Sequence, residues 1–514
     1  MAAYILRRLG ALLVTIFGAT FLVYNLTAIS SDPTADLQLS TDPNRDFLIA
    51  ALTRDLALDV PPPARYFLWL KGVLGVFVGN PDFGTGRDGA EVSSSLAAAI
   101  PISIRLVAAA TIFAIVVGIA IGIITALRQY SRFDYSMTFV AFLLFSLPVF
   151  WVAVLLKEYL AIQFNTFLQE PTVPLSFTIG IGLVIGLVAA SVIGGERKRY
   201  WTTFAIAGGF TSLLLTFLSL TEWFLNPSLG PIVIGLFAAG IAYGITQLSV
   251  GLNNKAALKS ALTMAGVVTV EYFPVNWLFD QYPGALTIFL IAAFNIATAV
   301  FVALAYSKID RSPIVRTSIL TAFISSGLLF LDKLMQTWRP YMETDAINYR
   351  PVPTIGQRNS LLESTDWWIT SLDIATHLFL PTLALTLLGF AGYIRFTRGT
   401  LLEVLNSDYI RTARAKGLPE RTVIMRHAFK NTMIPLTTIG VGIIPDIIGG
   451  ALITESVFGW SGMGTLFRQG LLGYDLNLLM GVLFLIATLT LLANLAADLL
   501  YSVVDPRIRA GSGE

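Results

Sequence analysis

The chain has 514 residues, of which 55% are hydrophobic and 13% are charged, and its formal net charge at pH 7 is +2. This composition excludes a soluble globular domain, and the scatter of basic residues between apolar runs excludes a nucleic-acid-binding face. The absence of cysteine excludes disulfides and thiolate metal sites, and the two histidines, His377 and His427, lack the spacing of a zinc protease. The sequence predicts an all-α, polytopic membrane protein with no metal site and no catalytic residue.

About twelve apolar runs are long enough to cross the hydrocarbon core of a bilayer. They are predicted near 9–29, 102–126, 137–162, 175–194, 201–223, 229–250, 257–275, 284–306, 313–334, 376–396, 432–454 and 478–503. The first run follows a basic start but is about 20 residues long, so we interpret it as a retained span and not as a cleaved signal peptide.

The loops between these runs alternate in charge. Short loops on one side, 224–228 and 276–283, contain no lysine or arginine. Loops on the other side are basic and contain Arg7, Arg8, Arg128, Arg132, Arg197, Lys198, Arg199, Lys255, Lys259, Lys308, Arg311, Arg316, Arg507 and Arg509. Because positive loops stay in the cytoplasm, both termini are predicted to be cytoplasmic, and segments 30–100 and 335–375 are predicted to be external.

The segment from Asp408 to His427 is polar and basic although it lies between two apolar runs. Ser407 or Asp408 can cap a first helical turn, and Gly417 stands where a left-handed residue ends a helix. Pro419 is predicted to start a second helix at its first position. Such a rigid basic helical bend between two spans indicates docking onto another protein.

The residues of this segment also match a known pattern. Arg411-Thr412-Ala413-Arg414-Ala415-Lys416-Gly417, with Arg426-His427-Ala428 and Pro435 after it, resembles the coupling loop of ABC-importer permeases of the dipeptide, oligopeptide and nickel branch. Arg411 replaces the Glu of the general importer pattern, and the distance from Gly417 to Pro435 is longer than in sugar importers; both features are typical of this branch. Further matches are Arg7-Arg8-Leu9, Ile100-Pro101, Leu147 to Trp151, Tyr349 to Pro353, Leu380-Pro381-Thr382, Glu455 to Gly464 and Leu500 to Arg509.

This resemblance implies a translocation subunit that binds no cofactor itself. The chain has no Gly-x-x-x-x-Gly-Lys-Ser/Thr loop, so ATP and Mg are expected on a partner ATPase. The family implies a second permease subunit, two ATP-binding cassette ATPase subunits, an extracytoplasmic substrate-binding protein and a place in the plasma membrane. The implied ATPase-coupling residues are Arg411, Thr412, Ala413, Ala415, Lys416, Gly417, Pro419, Arg426 and His427. Ala413 and Ala415 would keep the docking surface small, and Arg411, Arg414 and Lys416 would meet acidic groups or lipid phosphates.

The middle of the chain departs from the six-span family core. The core is predicted at 1–165 and 350–514, with the coupling loop at 400–431, and 168–345 is predicted to be an inserted bundle of about six further spans. Because these spans look apolar on nearly all sides, we expect the bundle at the lipid-facing periphery. The alternative is a bundle that covers the outer mouth of the pathway or contacts the substrate-binding protein. Glu222, Glu271 and Asp332 are interpreted mainly as interfacial residues at span ends.

The substrate is not fixed by these residues. Di- or oligopeptides are the first hypothesis because they dominate the branch, and nickel or another small solute is the alternative. A self-contained secondary transporter would also have about twelve spans, but the two halves of the chain show no similarity to each other. A structural assembly subunit is the remaining alternative.

Overall fold

The computed structural model describes residues 2–30, 32–307, 311–362, 365–442 and 451–504. Within these ranges the chain is helical, with a single isolated bridge between Thr85 and Glu91. The predicted all-α class is confirmed. The part of the C-terminal match from Asp505 to Arg509 and the basic residue Lys308 lie outside the described residues.

The described helices follow one another in chain order. The first are α1 (Ala2–Ser30), α2 (Ala35–Gln38), α3 (Arg45–Asp55), α4 (Pro62–Val73), α5 (Val92–Leu127), α6 (Arg132–Ser146), α7 (Val149–Lys157), α8 (Gln163–Phe167), α9 (Leu175–Ile193), α10 (Arg197–Leu220), α11 (Gly230–Ser249) and α12 (Lys255–Val270). The others are α13 (Tyr272–Gln281), α14 (Ala285–Tyr306), α15 (Arg311–Gln336), α16 (Trp338–Met342), α17 (Trp367–Leu405), α18 (Asp408–Ala415), α19 (Glu420–Thr422), α20 (Phe429–Gly442), α21 (Leu452–Phe458), α22 (Met463–Leu472) and α23 (Leu476–Val504). Leu74–Val78 is a 3₁₀ turn, and Glu158–Ile162 and Val423–Ala428 are π-helical.

Nine helical stretches in the described ranges are long and apolar enough to span a bilayer. If α6 and the helical stretch Val149–Phe167 are counted together as one span, the total is ten. These two stretches are bent by 99° at the break between them, where Pro148 interrupts the helix. The predicted span 257–275 is divided between α12, which has 16 residues, and α13. The predicted span 432–454 includes 443–450, which lie outside the described residues. A total of twelve spans therefore stays a prediction.

The described residues divide into two compact units. The first draws on Met1–Glu158, Thr354–Gln357 and Leu378–Glu514, and the second on Tyr159–Pro353 and Arg358–His377. The boundary falls within α17, whose first residues belong to the second unit. The predicted domain limits at 165, 168, 345 and 350 stay predictions.

In the first unit, the helix α4 of the predicted external segment packs along α1. Tyr66 is fully buried among Phe21, Tyr24 and Trp69, and its hydroxyl lies 2.8 Å from Thr20 Oγ1. The same apolar cluster includes residues of α5, α22 and α23, namely Val92, Leu96, Met463, Met480 and Val482. The segment around α4 is thus held as part of the helical core.

In the second unit, the interior contains more polar side chains than the sequence led us to expect. Thr317, Ser318, Thr321 and Ser325 of α15 are fully buried, and Ser318 Oγ lies 2.5 Å from Ser260 Oγ of α12. The expectation that these spans are apolar on nearly all sides is therefore wrong for α15, because its polar stripe packs inward against its neighbours.

Asp332 illustrates the same point. It is fully buried, and its Oδ1 accepts hydrogen bonds from the backbone N–H groups of Leu229 at 2.5 Å and Gly230 at 3.3 Å. These donors stand at the start of α11, where a carboxylate is favoured by the helix dipole. The interpretation of Asp332 as an interfacial residue is wrong, since it anchors one helix to another. Glu222 is exposed.

Candidate coupling site

We call residues 408–422 the elbow. Its helix α18 is strongly amphipathic, and Ile410 and Ala413 on its apolar face are buried. Both belong to a small core with Ala126 at the end of α5 and Leu401 near the end of α17, together with Val423 and Ala428. The elbow is therefore packed directly onto the ends of two long helices.

The bend of the elbow depends on the backbone of Gly417. Its φ is +74°, and its N–H donates to the carbonyl of Arg414 at 2.9 Å. A β-carbon at this position would meet no atom within 4 Å, so glycine is required by the backbone conformation and not by lack of room. The predicted left-handed Gly417 is confirmed.

The predicted helix caps are partly different. Ser407 is the N-cap of α18, but its Oγ donates to the Val404 carbonyl at 2.5 Å and makes no capping bond. Pro419 has φ −55° and ψ 137° and precedes the short helix α19. It therefore stands at the N-cap and not at the first helical position, because its extended ψ belongs to the approach to the helix.

A charged pair closes the bend. Arg414 Nη2 lies 2.7 Å from Glu420 Oε1, and Arg414 Nε lies 3.2 Å from Glu420 Oε2. This two-pronged hydrogen bond raises the pKa of Arg414 and lowers the pKa of Glu420. Arg414 thus already has an anionic partner in its own chain, whereas Lys416 is exposed and Arg411 is an exposed residue 3.6 Å from Asp408.

Most of the predicted coupling residues are exposed: Arg411, Thr412, Ala415, Lys416, Gly417 and Pro419. Ala413 is different, because it is only 6% exposed and faces the core of its own chain. The expectation that the Ala413 side chain belongs to the docking surface is wrong. His427 is partly buried in the π-helical turn Val423–Ala428, and the side chain of Arg426 lies outside the described part of the chain.

A buried ion pair near the elbow was not predicted from the sequence. Asp134, near the start of α6, is 1% exposed. Its Oδ1 accepts a hydrogen bond from Arg398 Nε at 2.7 Å, and its Oδ2 accepts one from Arg398 Nη2 at 2.8 Å. The N–H of Tyr130 also donates to Asp134, at 3.0 Å. This pair ties α6 to α17, and because its members are 264 positions apart, no local pattern in the sequence indicated it.

A second structured feature, the Glu455 loop, comprises residues 451–465. Glu455 is fully buried; its Oε1 accepts from Ser103 Oγ at 2.7 Å and its Oε2 from the N–H of Thr465 at 2.9 Å. Ser103 Oγ in turn accepts from the N–H of Met463 at 2.7 Å. The carboxylate therefore holds both sides of the loop to α5.

The end of α21 in this loop contacts the segment around Ile355, although Gly459 and Ile355 are themselves exposed. Gly459 has φ +64°, and a β-carbon there would lie 2.6 Å from Ile355 Cγ2. The carbonyl of Phe458 accepts from the N–H of Gly356 at 2.8 Å, and that of Val457 accepts from Lys157 Nζ at 3.1 Å. The sequence from Glu455 to Gly464 thus forms a loop held by hydrogen bonds within the chain, although the indole Nε1 of Trp460 is buried without a hydrogen-bond partner among the described residues.

The described chain thus combines nine helices long and apolar enough to span a membrane with a polar elbow that follows α17. Residues 182–510 match the family of binding-protein-dependent transport system inner membrane components, and the chain belongs to this family. Membership implies that the chain works together with other subunits.

The names of curated relatives agree with this family assignment. The oligopeptide transport system permease protein AppB of Bacillus subtilis is 43% identical over 136 residues, which cover 26% of this chain and 43% of AppB. The dipeptide transport system permease protein DppB of Escherichia coli K12 is 43% identical over 139 residues, covering 27% of this chain and 41% of DppB. The chain therefore matches about two fifths of the length of these two relatives.

A third relative aligns over nearly all of both chains. The oligopeptide transport system permease protein OppB of Mycobacterium tuberculosis H37Rv is 24% identical over 509 residues, 99% of each chain. This alignment runs through the middle segment 168–345 as well, so a segment of matching length occurs in this relative.

Proposed function

We propose that this chain is the translocation subunit of an ATP-driven importer of di- or oligopeptides in the plasma membrane. The observation that carries the proposal is the elbow, a rigid helical bend with an open surface that is packed onto the ends of α5 and α17. The names of the relatives, which are peptide transport permeases, support the choice of substrate.

The elbow is suited to transmit movement. Ile410 and Ala413 connect it to Ala126 and Leu401, so a displacement of α18 is passed to both long helices through close-packed side chains. Its opposite face carries Arg411, Ala415 and Lys416, which are available to a groove on an ATPase. Gly417 lets the chain reverse without a side chain that would enlarge this face.

The complex proposed around this chain has a second permease subunit, two ATPase subunits and an extracytoplasmic binding protein. ATP and Mg bind to the ATPases, and closure of the ATPases on ATP moves the elbow. Both termini of this chain lie in the cytoplasm, which the distribution of basic loops supports.

The test is uptake by proteoliposomes that contain the complete complex, with the binding protein outside and ATP inside. Labelled dipeptide is expected to accumulate only when both are present. Uptake driven by an ion gradient without ATP would favour a secondary transporter. Accumulation of Ni²⁺ without peptide accumulation would favour the nickel alternative.

The orientation has its own test, which uses the absence of native cysteine. Single cysteines are placed at Lys198, Lys255 and Gln281 and labelled in intact cells with a membrane-impermeant reagent. Labelling is expected at position 281 alone. External labelling at position 198 would show that the proposed topology of the middle segment is wrong.

A further inference from the structure

A cavity of about 310 Å³ lies in the first unit, at the predicted external segment, and we call it the Arg65 cavity. Its walls come from the end of α1, the segment 56–65 that leads into α4, and the start of α23. The helix α4 packs on α1 through Tyr66 and on α23 through Trp69, so these walls are held in place. The volume is at the small end of the range for small-molecule sites.

Among the described residues, Arg65 is the one cation that lines this cavity, and it is 8% exposed. Its Nε is buried and has no hydrogen-bond partner in the described chain. The group that hydrogen-bonds its guanidinium is the neutral hydroxyl of Tyr24, which can satisfy only some of the N–H donors. A cation buried without an anion is costly, so the arrangement favours an anionic ligand in the cavity.

Asp59 lines the same cavity from the segment before α4. It is exposed, and it forms no hydrogen bond or ion pair with any described residue. The other carboxylate of the lining, Asp32, is already engaged. Its Oδ1 accepts from the N–H and the hydroxyl of Thr34 at 2.8 and 2.7 Å, and its Oδ2 accepts from Gln38 Nε2 at 3.1 Å. Asp59 is therefore the carboxylate that remains available to a ligand.

Asn477, at the start of α23, adds a neutral acceptor to the lining. Its Nδ2 donates to the carbonyl of Thr85 at 2.9 Å, which fixes the orientation of the amide. Its Oδ1 has no partner among the described residues. Apolar side chains complete the wall, and two of them, Leu56 and Leu476, are each 8% exposed.

Arg65 and Asp59 border one cavity, yet in the described chain they do not pair with each other. A ligand that completes both residues carries an anionic group and a cationic group on one small molecule. A free dipeptide has this chemistry. Its terminal carboxylate suits the fork of a guanidinium, and its terminal ammonium suits a carboxylate and an amide oxygen.

We propose that the Arg65 cavity binds a free dipeptide, with the peptide carboxylate on Arg65 and the ammonium on Asp59. Asn477 Oδ1 accepts from the same ammonium, and the peptide side chains lie against Leu56 and Leu476. This inference assigns a substrate subsite to the proposed importer and therefore rests on the proposed function.

The test measures binding of alanyl-leucine to the purified full-length chain in detergent by isothermal titration, without ATPase and without binding protein. Two blocked peptides are compared with it. The C-terminal amide lacks the carboxylate, and the N-acetyl derivative lacks the ammonium. Each blocked peptide is expected to bind roughly tenfold more weakly, the equivalent of one lost charge-assisted hydrogen bond.

Two variants should remove these preferences one at a time. Arg65→Gln is expected to bind alanyl-leucine and its amide equally weakly while it still prefers the free ammonium. Asp59→Asn is expected to lose the preference for the free ammonium and to keep the preference for the carboxylate. Because Asp59 is exposed, its variant tests the site even if Arg65→Gln does not fold. Asp46→Asn, at an exposed position on α3 outside the cavity, is the control and should keep both preferences.

Several outcomes would overturn the proposal. Absence of peptide binding would do so, as would equal binding of the three peptides. Weaker binding in both variants with both preferences unchanged would mean that the residues have a structural role only. If Arg65→Gln instead weakens association with the substrate-binding protein while the chain binds no peptide, the missing anion belongs to that protein.

Failure of this site and failure of the proposed function are distinguishable. ATP-driven peptide uptake by the complete complex, without peptide binding to the isolated chain, would exclude the site and leave the function intact. Peptide binding to the isolated chain without ATP-driven uptake would leave the site intact and exclude the function.

Discussion

The elbow and the Glu455 loop use the same local device in opposite surroundings. Each is a short helix that leads into a left-handed glycine, Gly417 at φ +74° and Gly459 at φ +64°. A β-carbon on Gly459 would collide with Ile355, whereas a β-carbon on Gly417 would meet nothing within 4 Å. Trp460, next to Gly459, is 1% exposed, while Lys416, next to Gly417, is exposed.

The two segments therefore differ in how much of their surface contacts their own chain. The Glu455 loop is held by hydrogen bonds to Ser103, Lys157 and Gly356 of its own chain. The elbow is anchored on one face only, and its other face has no counterpart among the described residues. The left-handed backbone requires glycine at both positions, but only at Gly459 does a neighbouring side chain also limit the space.

The largest expected effect is that of Glu455→Ala. It leaves Ser103 Oγ and the Thr465 N–H buried without their acceptor, which costs about 2–4 kcal/mol of unfolding free energy. The measurement is unfolding of the purified chain by a denaturing detergent in mixed micelles. Glu403→Ala, at an exposed position on α17, is the control. Equal stability of the two variants would show that the loop is not held by this carboxylate.

Gly459→Ala is expected to cost about 2 kcal/mol, because backbone strain adds to the collision with Ile355 Cγ2. The double variant Gly459→Ala/Ile355→Ala should recover the steric part and retain about 1 kcal/mol of backbone strain. If the second substitution recovers nothing, Ile355 does not enclose the loop.

Gly417→Ala is expected to cost only about 1 kcal/mol, the backbone strain alone. Gly417→Leu should be no less stable than Gly417→Ala, since the space is open, but it should abolish peptide uptake and co-purification of the ATPase. Gly399→Ala, on the helix α17 with equally open space, should stabilise the chain and is the control. Normal uptake by Gly417→Leu would remove the elbow from the coupling mechanism.

The smallest effect concerns pH. Since Arg414 lowers the pKa of Glu420 in the folded state, the pair contributes stability above the unfolded Glu pKa of about 4.3. That contribution is lost as pH falls through the lower folded pKa. Arg414 and Glu420 are 43% and 56% exposed, so water screens the pair and the contribution is slight. The stability gap between wild type and Glu420→Gln should close on acidification; a gap that widens would reverse the sign.

Some features that depend on neighbouring residues in the sequence were predicted correctly. The apolar runs gave the all-α class, and the position of Gly417 after a basic helical run predicted its left-handed backbone. Pro419 was placed one residue too far into its helix, because sequence does not distinguish an N-cap from the first helical turn. Ala413 was assigned to the surface because a small residue suits either a groove or a core.

Contacts between distant residues could not be predicted in this way. Glu455 and Ser103 are 352 residues apart, and Asp134 and Arg398 are 264 apart. The polar stripe of α15 was also missed, because serine and threonine in an apolar run look like minor interruptions until their partners on other helices are known. Asp332 looked interfacial for the same reason, since its donors belong to another helix.

The helix α5 is common to both regions compared above. Ser103 near one end bonds to Glu455, and Ala126 near the other end packs against the core of the elbow. Ala126 follows Ser103 by 23 positions, an interval without proline that spans about 35 Å at 1.5 Å per residue. A tilt of this rod by about ten degrees about its centre would shift each end by about 3 Å, in opposite directions. If α5 tilts as a rigid rod, a push at the elbow would therefore reach the Glu455 loop as a movement comparable to the length of a hydrogen bond.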